Sequence, residues 1–189
     1  TAEYKFNIAK KHDFTVLLGQ ESMTSKTVAF GANADGITDN RLSLMSAGAT
    51  ATVPSHSISE EVRNSWFGML NYSYADRYFL DLSIRRDGSS LFGENNRWAT
   101  FGAAAAMWDI TKENFMNSTR NWLNDLQFKV SYGSTGNSGI SPYMALGLVA
   151  AGPLYNGQSG TAIANASNPD LTWETVKTFN LALTGKVLN

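Results

Sequence analysis

The sequence predicts an all-β protein that forms one segment of an antiparallel, up-and-down transmembrane β-barrel. Three observations predict it: apolar and polar residues alternate with a period of two, most of the alternating segments run about ten residues, and short and long connections alternate between them. A tilted strand needs roughly 9–11 residues to cross a bilayer, whereas strands of soluble proteins average about 5–6 residues. Transmembrane barrels join their strands by short turns at one end and longer loops at the other.

Seven strands are predicted from the alternation and from the turn residues that bound it. The tight connections between them are residues 10–12 and 75–76, and the long ones are residues 25–61 and 136–171. All four prolines fall in the two long connections, as a hydrogen-bonded sheet requires. The predicted strands, in chain order, are residues 2–9, 13–24, 62–74, 77–86, 97–108, 125–135 and 172–183.

The alternation gives each strand an apolar face and a polar face, because successive side chains point to opposite sides of a strand. A face that carries charged residues meets water, either outside a sandwich of two sheets or inside a wide barrel. In the barrel interpretation, the candidates for lipid contact are Leu80, Leu82, Ile84, Phe128 and Val130. The candidates for the wall of the lumen are Asp81, Arg85, Gln127, Lys129 and Glu174.

The connections carry residues with defined turn preferences. Ala75 and Asp76 fit the tip of a tight hairpin, and Asp87-Gly88 favours a turn with positive φ. Residues 168–170, Asn-Pro-Asp, favour an extended step followed by a turn, which ends the last long loop. The compact connection after residue 108 is predicted to hold a helical turn at residues 112–116.

Aromatic residues are concentrated near the strand ends, where transmembrane barrels carry girdles of amphipathic rings at the headgroup level. Seven strands are too few to close such a barrel, because bacterial barrels have an even number of at least eight. An open sheet would leave two unpaired edges, which lipid does not tolerate. We therefore expect the chain to be part of a larger barrel. The aromatic residues at strand ends are Trp66, Tyr72, Tyr74, Tyr78, Trp98, Trp108, Tyr132 and Trp173.

Composition argues against several other classes of function. Charged residues make up 16% of the 189 residues, against about 25% in typical soluble domains, and the net charge of −1 with no basic stripe argues against nucleic acid. The absence of cysteine excludes disulfides and thiol chemistry. His12 and His56 lack neighbouring ligands, so we expect no metal, no cofactor and no enzymatic activity. Tyr143 and Tyr155, in the last long loop, are candidates for stacking on a ligand.

Two other interpretations share some of these features. A soluble, secreted β-sandwich that binds carbohydrate would bury the apolar face of each strand against a second sheet and would use shorter strands. A surface adhesin or autotransporter domain would share the barrel, and a long passenger segment in the full-length gene would support it. A requirement for detergent separates the sandwich from the two barrels.

Five strings occur in an order that resembles the C-terminal barrel portion of the SusC/RagA-type TonB-dependent outer-membrane transporters of Bacteroidetes. They are NYSYADRY at 71–78, SIRRDGSS at 83–90, WLNDL at 122–126, SYGSTGN at 131–137 and NPDLTWE at 168–174. The resemblance is specific from about residue 62 to residue 183 and looser before it.

The resemblance implies a barrel of 22 strands in the outer membrane, with residues 1–189 as part of its wall. It also implies an N-terminal plug domain, a TonB-binding motif and a SusD-like surface lipoprotein that closes over the extracellular mouth. The expected function is uptake of oligosaccharides or peptides. The plug, the TonB-binding motif and the remaining strands are expected outside this sequence.

Overall fold

The computed structural model describes residues 1–39, 41–119, 121–152, 154 and 156–188. Within these ranges the chain forms β-strands and three 3-10 helices of one turn each, at Met45–Ala47, Ile110–Lys112 and Asn114–Met116. The strands in chain order are β1 (Ala2–Ile8), β2 (His12–Gly31), β3 (Ala34–Asp35), β4 (Thr50–Ala51), β5 (Ser55–Tyr74), β6 (Tyr78–Ser89), β7 (Trp98–Asp109), β8 (Leu123–Asn137), β9 (Leu148–Ala151), β10 (Thr161–Asn165) and β11 (Glu174–Val187).

The seven strands predicted from the sequence form one antiparallel sheet in the order β1-β2-β5-β6-β7-β8-β11. Each of these strands pairs with the next of them along the chain, so the predicted all-β, up-and-down arrangement is confirmed. Within the described residues β1 and β11 each pair on one side only, and the sheet is therefore open. The short pairs β3-β4 and β9-β10 lie in the long connections and were not predicted.

Strands β2 and β5 are longer than predicted, with 20 residues each, and pair from His12–Tyr74 to Gly31–Ser55. Residues 25–31 and 55–61, which the alternation assigned to a long loop, thus continue the hairpin. Most residues of this extension are exposed on both faces, with Gly31, Ser59 and Glu61 half-buried, so the pattern that marks a half-buried strand is weak there. The hairpin extends beyond the neighbouring strands at the end of the sheet that carries the long connections, which we call the long-loop end; the opposite end is the short-turn end.

The tight turns at the short-turn end follow the prediction. Ala75 and Asp76 both have positive φ, 52° and 53°, as a type I′ hairpin turn requires, and Ala9 and Lys10 form an equivalent turn between β1 and β2. The helical turn predicted at residues 112–116 is present as the two 3-10 helices at Ile110–Lys112 and Asn114–Met116.

The prediction of a positive-φ turn at Asp87-Gly88 was wrong. Both residues belong to β6, and Gly88 pairs with Asn64 on one side and with Trp98 on the other. A Cβ atom on Gly88 would lie 2.8 Å from atoms of the Trp98 ring, so the glycine makes room for an indole on the neighbouring strand. The sequence signal for a turn here reflects a close cross-strand approach instead.

The most deeply buried side chains form a small cluster at the long-loop end, in which Phe92 is only 2% exposed, and a second buried group around Leu123 lies at the short-turn end. The Phe92 ring lies 4.4 Å from the Trp173 ring, and the two loops that carry them are joined by hydrogen bonds. The Gly93 N–H donates to the Leu171 carbonyl, and Asn95 Nδ2 donates to Asp170 Oδ1 at 2.7 Å. The Leu171 N–H donates to the Asn168 carbonyl at 3.2 Å, which confirms the turn predicted at the end of the loop. The attachment of this segment to the β6–β7 loop was not predicted.

Candidate functional site

The strand register gathers the alternating residues into two continuous faces across the sheet. We call the one that includes Leu82 the apolar face and the one that includes Asp81 the polar face. Leu82 lies opposite Leu70 on β5 and opposite Ala104 on β7, so apolar residues meet apolar residues across strands. All five candidates for lipid contact share the apolar face, since Leu80 aligns with Val130 through Ala106. Leu80, Leu82, Ile84 and Phe128 are exposed, with no protein layer over them among the described residues.

Aromatic rings bound the apolar face at both ends. At the short-turn end, His12, Tyr74, Tyr78 and Trp108 align across four strands, with ring centroids 4.7, 6.2 and 6.3 Å apart. At the long-loop end, Trp66 on β5 and Trp98 on β7 flank Arg86 on β6. Trp98 and Trp108, the two tryptophans of β7, are ten residues apart and mark the two ends of the apolar face. At about 3.3 Å per residue and a tilt of about 40° this gives a band roughly 25 Å tall, the height of the apolar band in membrane barrels.

A carboxylate holds the aromatic row at the short-turn end. Glu113, in the β7–β8 connection, accepts hydrogen bonds from Tyr78 Oη at 2.6 Å and Trp108 Nε1 at 3.2 Å. It also pairs with Arg77 at 3.4 Å. The hydrogen bond from Tyr78, followed by the one from Trp108, lowers the pKa of the Glu113 carboxyl below its ordinary value.

The polar face carries hydrogen-bonded or ion-paired side chains at three of the candidate lumen residues, of which Asp81 and Arg85 lie within the sheet and Glu174 lies at its edge. Asp81 accepts a hydrogen bond from Asn71 Nδ2 at 2.6 Å. Arg85 pairs with Glu21 at 3.0 Å and with Asp87 at 2.6 Å, and its guanidinium lies 5.3 Å from the centroid of the Phe67 ring.

The partners of Arg85 were missed by sequence reasoning. Glu21 and Phe67 lie on β2 and β5, and only the register brings them beside a residue of β6. Asp87 was assigned to a turn, although its position two residues after Arg85 puts both on the same face once β6 continues through it.

The five candidate lumen residues are spread along the wall and do not form one site. Asp81 and Lys129 line one concavity of about 380 Å³ together with Ser131 and Asn180. Arg85 lines a second concavity of about 330 Å³.

The other two candidate lumen residues lie outside both concavities. Gln127 pairs with Asp109 near the short-turn end. Glu174 lies at the first residue of β11 and accepts a hydrogen bond from Asn137 Nδ2 at 2.9 Å.

One of the two loop tyrosines is held by the hairpin extension. The Tyr143 hydroxyl accepts a hydrogen bond from the Glu60 backbone N–H at 2.9 Å, on the edge of β5 that extends beyond β6. Its hydroxyl is therefore engaged, and about a third of the residue remains exposed. Tyr155 lies outside the described residues.

The described residues show no group of three or more His, Asp or Glu side chains placed to hold a metal ion. None of the helices in the described part of the chain is long and apolar enough to cross a membrane.

Comparison with known proteins agrees with this architecture. Residues 1–189 match the family described as "TonB dependent receptor-like, beta-barrel". The chain is 35% identical over 195 residues to TonB-dependent receptor P26 of Formosa agariphila, with 100% of this chain and 20% of that protein aligned. It is 38% identical over 132 residues to TonB-dependent receptor SusC of Bacteroides thetaiotaomicron, which covers 66% of this chain and 13% of SusC.

Solved structures of the RagAB peptide transporter have the same fold. One superposes with a TM-score of 0.87 at 39% sequence identity, over 99% of this chain and 21% of the chain compared. The chain therefore spans about a fifth of the length of the relatives it matches over its whole extent. The match over all 189 residues shows that this chain belongs to the TonB-dependent receptor β-barrel family and resembles its SusC and RagA members, as its sequence strings predicted.

Proposed function

We propose that this chain forms part of the barrel wall of an outer-membrane importer that takes up oligosaccharides or peptides. The observation that carries the proposal is the continuous apolar face, bounded by aromatic rings at both ends and backed by a charged polar face. An aqueous sandwich would bury that apolar face against a second sheet, whereas a barrel in lipid leaves it exposed to hydrocarbon.

The SusC and RagAB relatives support a specific form of this function. By analogy with them, the complete protein works with a SusD-like lipoprotein at its extracellular mouth, is energised through TonB and is not an enzyme. The long-loop end then faces the cell exterior and the short-turn end faces the periplasm, as is usual for outer-membrane barrels.

The polar face becomes the wall of the lumen in this proposal. Asp81, Lys129 and the ion-paired cluster of Arg85, Glu21 and Asp87 keep the wall hydrated and offer charged groups to a plug or a passing substrate. The partly exposed ring of Tyr143 and the aromatic side chain of Tyr155 remain proposed contacts for a ligand in the loop region.

Site-directed spin labelling tests the orientation of the wall. Single cysteines at residues 80 to 83 of the full-length protein, in lipid vesicles, each carry a nitroxide; the native sequence contributes no cysteine in this segment. We expect collisions with oxygen, which partitions into lipid, to dominate at positions 80 and 82. Collisions with a water-soluble nickel complex are expected to dominate at positions 81 and 83. Accessibility without this period of two would overturn the proposed orientation.

Uptake by the source bacterium tests the transport function. Deletion of the full-length gene is expected to abolish growth on an oligosaccharide or peptide mixture that supports the parent strain, and the intact gene is expected to restore it. Unchanged growth and uptake across both nutrient classes would overturn the importer function and leave the orientation of the wall to the labelling experiment.

A further inference from the structure

Arg86 is a cation on the apolar face, at the level of the aromatic rings of the long-loop end. It lies opposite Trp66 on β5 and Thr100 on β7, and its guanidinium carbon is 5.7 Å from the centroid of the Trp98 ring. Within the described residues Arg86 forms no ion pair, in contrast to Arg85 on the other face. The nearest residues in register on this face are uncharged, so the described residues beside Arg86 supply no counter-ion.

An apolar notch opens directly beside this cation, toward the middle of the band. Gly68 has no side chain, and the gap there is narrow, because a Cβ atom would lie 3.2 Å from Leu18 Cδ2 on β2 and 3.8 Å from Ile84 Cγ2 on β6. The indole of Trp66 lines the same concavity. The concavity has a volume of about 640 Å³ over its whole lining, which also includes Thr1 and Ala2 at the start of β1, and Arg86 lies on its rim. It is open on the lipid side.

The charged and the apolar groups around Arg86 follow one another in a fixed order along the strands. The guanidinium and the two tryptophans lie at the interface level, and Gly68, Ile84 and Leu18 lie one row closer to the short-turn end. A phosphorylated lipid has the same order of groups, with an anionic phosphate at the headgroup level and an acyl chain below it. Guanidinium groups bind phosphate through paired, charge-assisted hydrogen bonds, which are stronger than neutral ones.

We propose that Arg86 and the Gly68 notch form a binding site for one phosphorylated lipid of the extracellular leaflet. Its phosphate binds the Arg86 guanidinium, and one acyl chain occupies the notch between Leu18 and Ile84. The inference rests on the proposed function, because it requires the apolar face to meet lipid. The charge complementarity commits the site to an anionic lipid, since a neutral lipid leaves the cation unpaired at the edge of the hydrocarbon.

Binding of lipid A by the purified full-length importer tests the proposal. The probes are lipid A, with its phosphates, and chemically dephosphorylated lipid A, each titrated in detergent and followed by native mass spectrometry. Arg86→Gln removes the cation, and Gly68→Val fills the notch. Lys177→Gln is the matched control, because Lys177 lies on the same face of the sheet but is separated from Arg86 by β7 and β8.

We expect lipid A to bind the wild type and Lys177→Gln equally, and to bind Arg86→Gln roughly tenfold or more weakly. Dephosphorylated lipid A should bind weakly to the wild type, to Lys177→Gln and to Arg86→Gln. Gly68→Val should fold in the detergent but should no longer bind lipid A. Equal binding by Arg86→Gln and the wild type would overturn the site, as would an equal loss in the Lys177→Gln control. Saturation of the Arg86 site by inorganic phosphate alone would overturn the role of the acyl chain.

The labelling experiment separates this inference from the proposed function. If positions 80 to 83 alternate between oxygen and nickel accessibility but Arg86→Gln retains lipid A, only the lipid site is wrong. If the alternation itself fails, the orientation on which the lipid site rests fails with it.

Discussion

Leu82→Arg tests the apolar face at its midpoint. On β6, Leu82 is four residues from Tyr78 in one aromatic row and four residues from Arg86 at the other. At about 3.3 Å per residue and a tilt of about 40°, Leu82 lies roughly 10 Å from the level of Tyr78 and roughly 10 Å from the level of Arg86, in the middle part of the band. An arginine at the midplane of a barrel costs about 2–4 kcal/mol. The folding equilibrium should therefore fall by about 30- to 700-fold.

The matched control is Ser83→Arg, one residue further along the same strand and on the opposite face. There the new cation lies two residues from Arg85 on the same face, whose cluster with Glu21 and Asp87 carries one excess negative charge. We expect Ser83→Arg to change stability by less than about 1 kcal/mol, because a hydrated wall imposes little desolvation on a new charge.

Urea titration of the full-length protein in phospholipid vesicles measures both variants. The folded fraction is read from the electrophoretic mobility of unheated samples, and midpoints are compared under one set of conditions because a large barrel need not unfold in two states. Equal destabilisation by Leu82→Arg and Ser83→Arg, or a larger effect from Ser83→Arg, would refute the assignment of faces.

Two further predictions concern the ends of the sheet. Protonation of Glu113 weakens its hydrogen bond from Tyr78 by removing the negative charge, and the carboxyl pKa in the folded protein lies below the ordinary value of 4.5. Its contribution to stability is therefore complete above about pH 4.5 and is lost as the pH falls through the folded pKa. Glu113→Gln should remove that part of the pH dependence of the urea midpoint, and an unchanged acid profile would contradict this. At the long-loop end, a Cβ on Gly93 would overlap the Pro169 carbonyl oxygen, so Gly93→Ala should release the last long loop. We expect faster proteolysis of that loop than in the control Gly147→Ala, and equal rates would contradict the role of the contact.

The period of two was sufficient to predict the main sheet, because side-chain alternation follows directly from strand geometry. It assigned Leu80 and Val130 to the apolar faces of their strands without any knowledge of the register. It did not place Glu21 beside Arg85, because that contact depends on how β2, β5 and β6 align, and one sequence contains no direct signal for register. The residues of the polar face could thus be predicted from the sequence, whereas the ion pairs between them could not.

The errors at the long-loop end have a common physical cause. Strand prediction from alternation relies on a contrast between a buried and an exposed face, and most of residues 25–31 and 55–61 are exposed on both faces. Their pairing is set by the hairpin itself, through the backbone bonds that continue from the band. The turn predicted at Gly88 was wrong because a glycine that makes room for a neighbouring indole looks the same in the sequence as a glycine at a turn.

The burial pattern explains why the medium must supply most of the stability of this segment. The described chain buries few apolar side chains, and the most deeply buried of them, Leu91 and Phe92, lie in the β6–β7 loop. In water the exposed apolar face would cost free energy in proportion to its area, and the free edges of β1 and β11 would pair with other chains. In hydrocarbon the same face needs no protein partner, and closure by neighbouring strands satisfies both edges. The proposed function accounts for this distribution of side chains, because a barrel wall in lipid leaves the apolar face exposed and pairs both edges of the sheet.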